Sequence, residues 1–111
     1  MRAATVGSME LRDQVISAAD LPERLEELPG WDGDASGISC DYPVGWDAAV
    51  VLAVRIGMLA VEMAHRPDLD IRRSGLNVFM TTHSAGDVVT ELDFATAVRI
   101  NAIAAATAPV E

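Results

Sequence analysis

Two histidines, the only ones in the chain, fall close together in sequence: His65 in Glu62-Met63-Ala64-His65-Arg66-Pro67, and His83 in Thr81-Thr82-His83-Ser84-Ala85-Gly86. Imidazole titrates near neutral pH, with an unperturbed pKa of about 6.5. Two such rings brought to one cavity can divide a proton transfer, one giving and the other taking. No other part of the chain gathers chemistry-bearing residue types in this way. Asp68 and Asp70 flank a proline turn without a further acidic cluster and read as solvated carboxylates rather than metal ligands. The loop at Gly86 lacks the repeated glycines and the lysine of a phosphate cradle. Cys40 is the sole cysteine, which excludes an internal disulfide and a cysteine-cluster metal site and suits a buried, inert thiol.

The elements that must deliver these rings can be read from periodicity. Trp46, Val50, Val54, Gly57, Val61 and His65 recur at three- and four-residue spacing and predict a helix over about Trp46–Ala64 with these residues on one face. Pro67 forces the chain out of helix, so His65 sits in or just past the last turn. Asp70–Arg73 and Leu76–Thr82 read as two strands joined by a hairpin turn at Ser74-Gly75. Alternation sends Leu76, Val78, Met80 and Thr82 to one face and Asn77, Phe79, Thr81 and His83 to the other.

Upstream, a helix is expected over about Met9–Leu28, broken near Ser17–Pro22, with Asp20 as a fresh cap and Pro29-Gly30 as the stop. Residues 31–42, rich in Gly, Asp and Ser, read as a loop with one short strand around Ile38–Tyr42. Thr90-Glu91-Leu92-Asp93 resembles a capping box and opens a last helix to about Ala106. Residues 1–8 read as a loose tail. The expected fold is α+β in a single domain spanning residues 1–111: a small antiparallel sheet of three to four strands with three helices packed on one face.

Composition narrows the partners. A formal net charge of -9, with arginine as the only basic residue type, disfavours nucleic acid and anionic membrane surfaces. The apolar run Ala48–Ala60 is too short to span a bilayer and is interrupted by Arg55. Met1–Gly7 lacks the apolar core of a signal peptide, so a cytoplasmic location is expected. Trp31 and Trp46 read first as core residues, and Glu62, Arg72 and Asp93 as solvated or helix-start groups.

Taken in order, these residues resemble the pterin-4a-carbinolamine dehydratase family over roughly Ser17–Ile103. The Leu28-Pro29-Gly30-Trp31 element, Trp46 and Arg55 on the long helix, His65-x-Pro67, Thr82-His83-x-x-Gly86 and the Thr90–Asp93 helix opening carry the resemblance. It implies dehydration of a 4a-hydroxytetrahydropterin, a small-molecule substrate, with neither metal nor organic cofactor. It also implies a homodimer or homotetramer built by sheet and helix contacts. His65 and His83 would be the acid–base pair. Arg66, Arg73, Thr82 and Trp31 would fall at substrate-binding positions, Trp31 as a pocket wall.

The chain departs from the family pattern. Arg66 stands for a second histidine, Arg73 for an aromatic, and Val61 for a polar residue four before the first histidine. A Gly-Gly pair becomes Gly86-Asp87, with one extra residue before Thr90. The segment from Trp31 to Trp46 looks too short for a full hairpin, so one strand is expected to be missing or trimmed. A guanidinium stays charged and cannot shuttle protons at neutral pH, but it can grip an anion with two donors. A pocket shifted toward an anionic ligand is therefore expected. The alternatives are a repurposed enzyme on the same scaffold, acting on another small molecule, or a non-catalytic binding or assembly module.

Overall fold

In the computed structural model, residues 10–107 are described; the expected loose tail and Met9 lie outside them. The element order is a 3-10 turn at Leu11–Asp13, α1 Leu21–Leu25, β1 Trp31–Asp34, β2 Gly37–Tyr42, α2 Trp46–Met63, β3 Asp68–Arg72, β4 Gly75–Met80, a 3-10 turn at His83–Ala85, and α3 Glu91–Ala106. The four strands form one antiparallel sheet in the order β1-β2-β4-β3. The expected α+β class with a helix-covered sheet is what the chain adopts.

The inward layer follows from strand alternation. Ile38 pairs with Met80, Cys40 with Val78 and Tyr42 with Leu76, and Leu69 and Ile71 continue the row on β3. These side chains pack with Ala49, Leu52, Ile56 and Leu59 of α2 and with Phe94, Ala97 and Ile100 of α3. As expected, Leu76, Val78 and Met80 face the core, whereas Phe79 is exposed. Burial also raises the Cys40 thiol above its ordinary pKa.

Three expectations need correction. Residues 31–34 form a strand where a loop was expected, so the first hairpin is complete rather than trimmed. Its turn, Ala35-Ser36, is held by Asp34, whose Oδ1 accepts from the Ser36 amide at 2.8 Å and from the Ser36 hydroxyl at 2.5 Å. The long first helix does not form. Val15 bridges to Thr90 instead, and only the five residues of α1 are α-helical. Asp20 occupies the cap position without a capping side-chain bond, while Ser17 Oγ accepts from the Asp20 amide. The hairpin turn between β3 and β4 is Arg73-Ser74, one residue earlier than expected. Gly75 closes that turn at φ +140°, and a Cβ there would lie 2.1 Å from the Tyr42 carbonyl oxygen.

The α2 face that carries Trp46, Val50, Val54 and Val61 is real, but it points outward. Together with Met58 these side chains are exposed, Val61 to 82 %. Trp46 is thus not a core residue. Among the described residues no helix is long and apolar enough to cross a membrane.

Candidate active site

His65 reaches the site from the end of α2. Ala64 stops the helix in the left-handed conformation (φ 53°), and the His65 amide closes back onto the Ala60 carbonyl at 3.0 Å. This turn tips the imidazole inward, where it is 7 % exposed. There Nε2 donates to Asp93 Oδ1 at 2.5 Å. Asp93 is completely buried, yet it is fully engaged. Its Oδ2 accepts from the Thr82 hydroxyl at 2.8 Å and from the Thr90 amide at 2.8 Å. Thr90 in turn donates its hydroxyl to Thr82 Oγ1 at 2.7 Å and accepts from the Leu92 amide at 3.2 Å. A buried carboxylate with this many donors is satisfied rather than stranded.

The network fixes the ring. With Nε2–H committed to Asp93, neutral His65 carries its lone pair on Nδ1, which has no partner among the described residues and is not sealed from the cleft. This is the orienting logic of a carboxylate behind a catalytic imidazole.

His83 is built differently. It opens the 3-10 turn that follows β4 and is exposed. Its Nδ1 donates to Asp87 Oδ1 at 2.5 Å. Asp87 holds a left-handed backbone (φ 59°) just past Gly86, and that backbone turns its carboxylate back toward the ring. The free nitrogen of His83 is therefore Nε2.

Both rings line one open cleft of about 430 Å³, whose wall also includes Arg12, Arg66, Asp68 and Thr82. Of the sequence-expected site residues, His65, His83, Arg66 and Thr82 are brought together here. Arg66 is exposed, and Thr82 has its hydroxyl engaged by Asp93 and Thr90. Arg73 and Trp31 are not among the residues of this cleft. Arg73 sits in the hairpin turn past the far end of β3, five residues or roughly 16 Å of strand from Asp68. Trp31 is buried between the sheet and α3, its Nε1 donating to Asn101 Oδ1 at 3.0 Å; the Tyr42 hydroxyl donates to the same oxygen at 2.7 Å.

Three residues of the site escaped sequence reasoning. Asp93 was legible only as a helix-start carboxylate, although the capping-box reading had already placed it beside Thr90. Its substitution for the usual longer Glu was the available signal, because the shorter side chain keeps the carboxylate close to the helix start. Asp87 gave no signal beyond a missing glycine, and Arg12 gave none.

The chain was compared with known proteins. The family model described as Pterin 4 alpha carbinolamine dehydratase matches residues 14–103. A protein of Streptomyces avermitilis, provisionally named pterin-4-alpha-carbinolamine dehydratase, is 39% identical over 90 residues, which are 80% of this chain and 89% of that protein. A similarly named protein of Streptomyces coelicolor is 35% identical over 91 residues, 81% of this chain and 90% of that protein. Among solved structures, a "transcriptional coactivator/pterin dehydratase" from Brucella melitensis superimposes with a TM-score of 0.73 at 26% identity, covering 80% of this chain and 97% of that one.

Proposed function

We propose that this chain, which belongs to the pterin 4 alpha carbinolamine dehydratase family, removes water from a 4a-hydroxytetrahydropterin, with His65 and His83 as the acid–base pair. The observation that carries this reading is that both imidazoles open onto one cleft, each with one ring nitrogen tied to a carboxylate and the other left free. In the reaction one ring delivers a proton to the C4a hydroxyl, which leaves as water. The other takes the N5 proton, and the electron pair of that N–H bond becomes the second bond of C4a=N5. One proton enters and one leaves, so the pair is restored by exchange with solvent. Asp93, with Thr82 and Thr90 behind it, acts as a positioning residue that holds His65 in a single tautomer.

The same reading takes the protein to be a homo-oligomer. An unbroken apolar stripe of Trp46, Val50, Val54, Met58 and Val61 along α2 has no partner within the described chain. Covering it with the same stripe of a second copy would remove it from water.

Stopped-flow mixing with freshly generated 4a-carbinolamine tests the catalytic reading. Wild-type protein should accelerate water loss, and His65→Ala and His83→Ala should each lower the rate by about 100-fold or more. Decay at the same speed with and without the protein would remove the reading.

A further inference from the structure

Two guanidinium groups face the cleft that holds the imidazoles. Arg66 makes no ion pair among the described residues, in a chain that carries 17 acidic residues against 8 basic ones. Arg12 reaches the same cleft from the 3-10 turn before α1. Its Nη2 donates to the Ala64 carbonyl at 3.5 Å, two residues before Arg66, and its Nε lies 3.7 Å from Glu10. The carboxylates nearby are largely spoken for: Asp93 holds His65 and Asp87 holds His83, leaving Asp68 as the remaining acid on the wall. Among the described residues Arg66 is thus a cation with no ion pair, on a molecule whose overall charge of -9 repels anions.

A neutral substrate would offer these two forks only single carbonyl or ring-nitrogen acceptors, whereas a carboxylate or phosphate oxygen pair matches guanidinium geometry and charge. We infer that the site selects a substrate bearing an anionic oxygen group, a carboxylate or a phosphate monoester, with Arg66 as its specificity-determining contact and Arg12 as a second donor. The inference rests on the dehydratase reading for the reacting ring, and on Arg66 and Arg12 for the anion.

Calorimetric titration of the full-length protein with three pterins tests it: one neutral and hydroxymethyl-bearing, one with a carboxylate, one with a phosphate monoester. At least one anionic pterin should bind about tenfold tighter than the neutral one, with the advantage shrinking as salt rises. Whichever of the two is preferred identifies the anion. The advantage should collapse to about twofold or less in Arg66→Ala, shrink in Arg12→Ala, and persist in Arg55→Ala. Equal binding of neutral and anionic pterins would overturn the inference while leaving the dehydratase reading standing. So would an advantage that survives removal of both Arg66 and Arg12. If none of the three binds, the dehydratase reading falls. The anion inference is then decided by the Arg66 Nε–H resonance on titration with inorganic phosphate and with acetate: a saturating shift with either sustains it, and no shift with both overturns it.

Discussion

Asp93 and His65 are joined by a 2.5 Å hydrogen bond between a carboxylate on the first turn of one helix and an imidazole just past the last turn of another. The same carboxylate closes the capping box of α3 through the Thr90 amide. One side chain therefore serves both the fold and the site. Asp93→Asn keeps the size and much of the cap but no longer offers His65 an ionised acceptor. It should lower kcat by about 100-fold or more with a modest loss of stability. Asp93→Ala should in addition cost roughly 2–4 kcal/mol, because the Thr82 hydroxyl, the Thr90 amide and the His65 ring lose their acceptor inside the protein. Steady-state kinetics beside thermal melts separates the two effects.

His83 should behave in the opposite way. Its ring is exposed and joined only to an equally exposed carboxylate, so His83→Ala should change stability by less than about 0.5 kcal/mol. Its effect on turnover should match that of a catalytic group. A variant that melts like wild type but no longer accelerates water loss is the expected outcome. Denaturation at a clearly lower temperature would instead assign the ring a structural part.

The clamp between Arg24 and Glu91 gives the fold a defined acid sensitivity. Two guanidinium nitrogens meet the carboxylate at 2.6 and 2.8 Å, and the Arg24 cation also lies 4.5 Å from the centre of the Phe94 ring. The hydrogen bond from Arg24 holds the Glu91 carboxyl below its ordinary value of 4.5. A depressed folded-state value means that the stabilisation is fully present above about pH 4.5 and is lost as pH falls through the lower, folded value. Because both side chains remain about a third exposed, the clamp contributes on the order of 1 kcal/mol at neutral pH. Glu91→Gln should therefore be less stable than wild type at pH 7 and approach it near pH 3, as read by urea melts across that range.

Assembly can be tested on the outward face of α2. Val54 and Met58 are 59 % and 70 % exposed and sit one turn apart on the apolar stripe. Val54→Glu with Met58→Glu places two charges where a second copy would pack and leaves the inward Leu52, Ile56 and Leu59 untouched. Light scattering after size exclusion should report a smaller particle with unchanged helical circular dichroism. An unchanged mass would remove this face from any assembly.

Burial also protects the single thiol. Cys40 lies on β2 beneath the helices, and desolvation raises its pKa, so the reactive thiolate is scarce. Iodoacetamide should label the native protein far more slowly than the urea-unfolded chain, with no change in activity over the same interval.

Legibility in the sequence followed the strength of the local signal. The α2 boundaries, the face alternation of β4 and the start of α3 were plain, because helix spacing, strand alternation and the Thr90–Asp93 cap each act within a few residues. What α2 concealed was which of its two apolar faces turns inward. Ala49, Leu52, Ala53 and Ile56 make one such face, and Trp46, Val50, Val54 and Val61 the other. Spacing alone cannot choose between them. Strand β1 was missed because Asp32-Gly33-Asp34 has the composition of a turn, and only pairing with β2 makes it a strand. In the site, the two histidines were recoverable from residue type. Their supporting carboxylates were not, since Asp93 meets His65 across 28 residues of chain and Asp87 bends back through a positive-φ backbone.

Ala64 ends α2 in the left-handed conformation, although alanine is a poor choice for such a helix end and glycine a good one. Nothing in its own chemistry makes it stop α2. Downstream, Pro67 bars the helix from running past the residue before it, and Asp93 holds the ring of the residue that follows Ala64. Loosening that grip would tilt the balance toward one more helical residue, and each residue added swings the next side chain by about 100° around the axis. An imidazole carried round by one such step would no longer face its partner across the cleft.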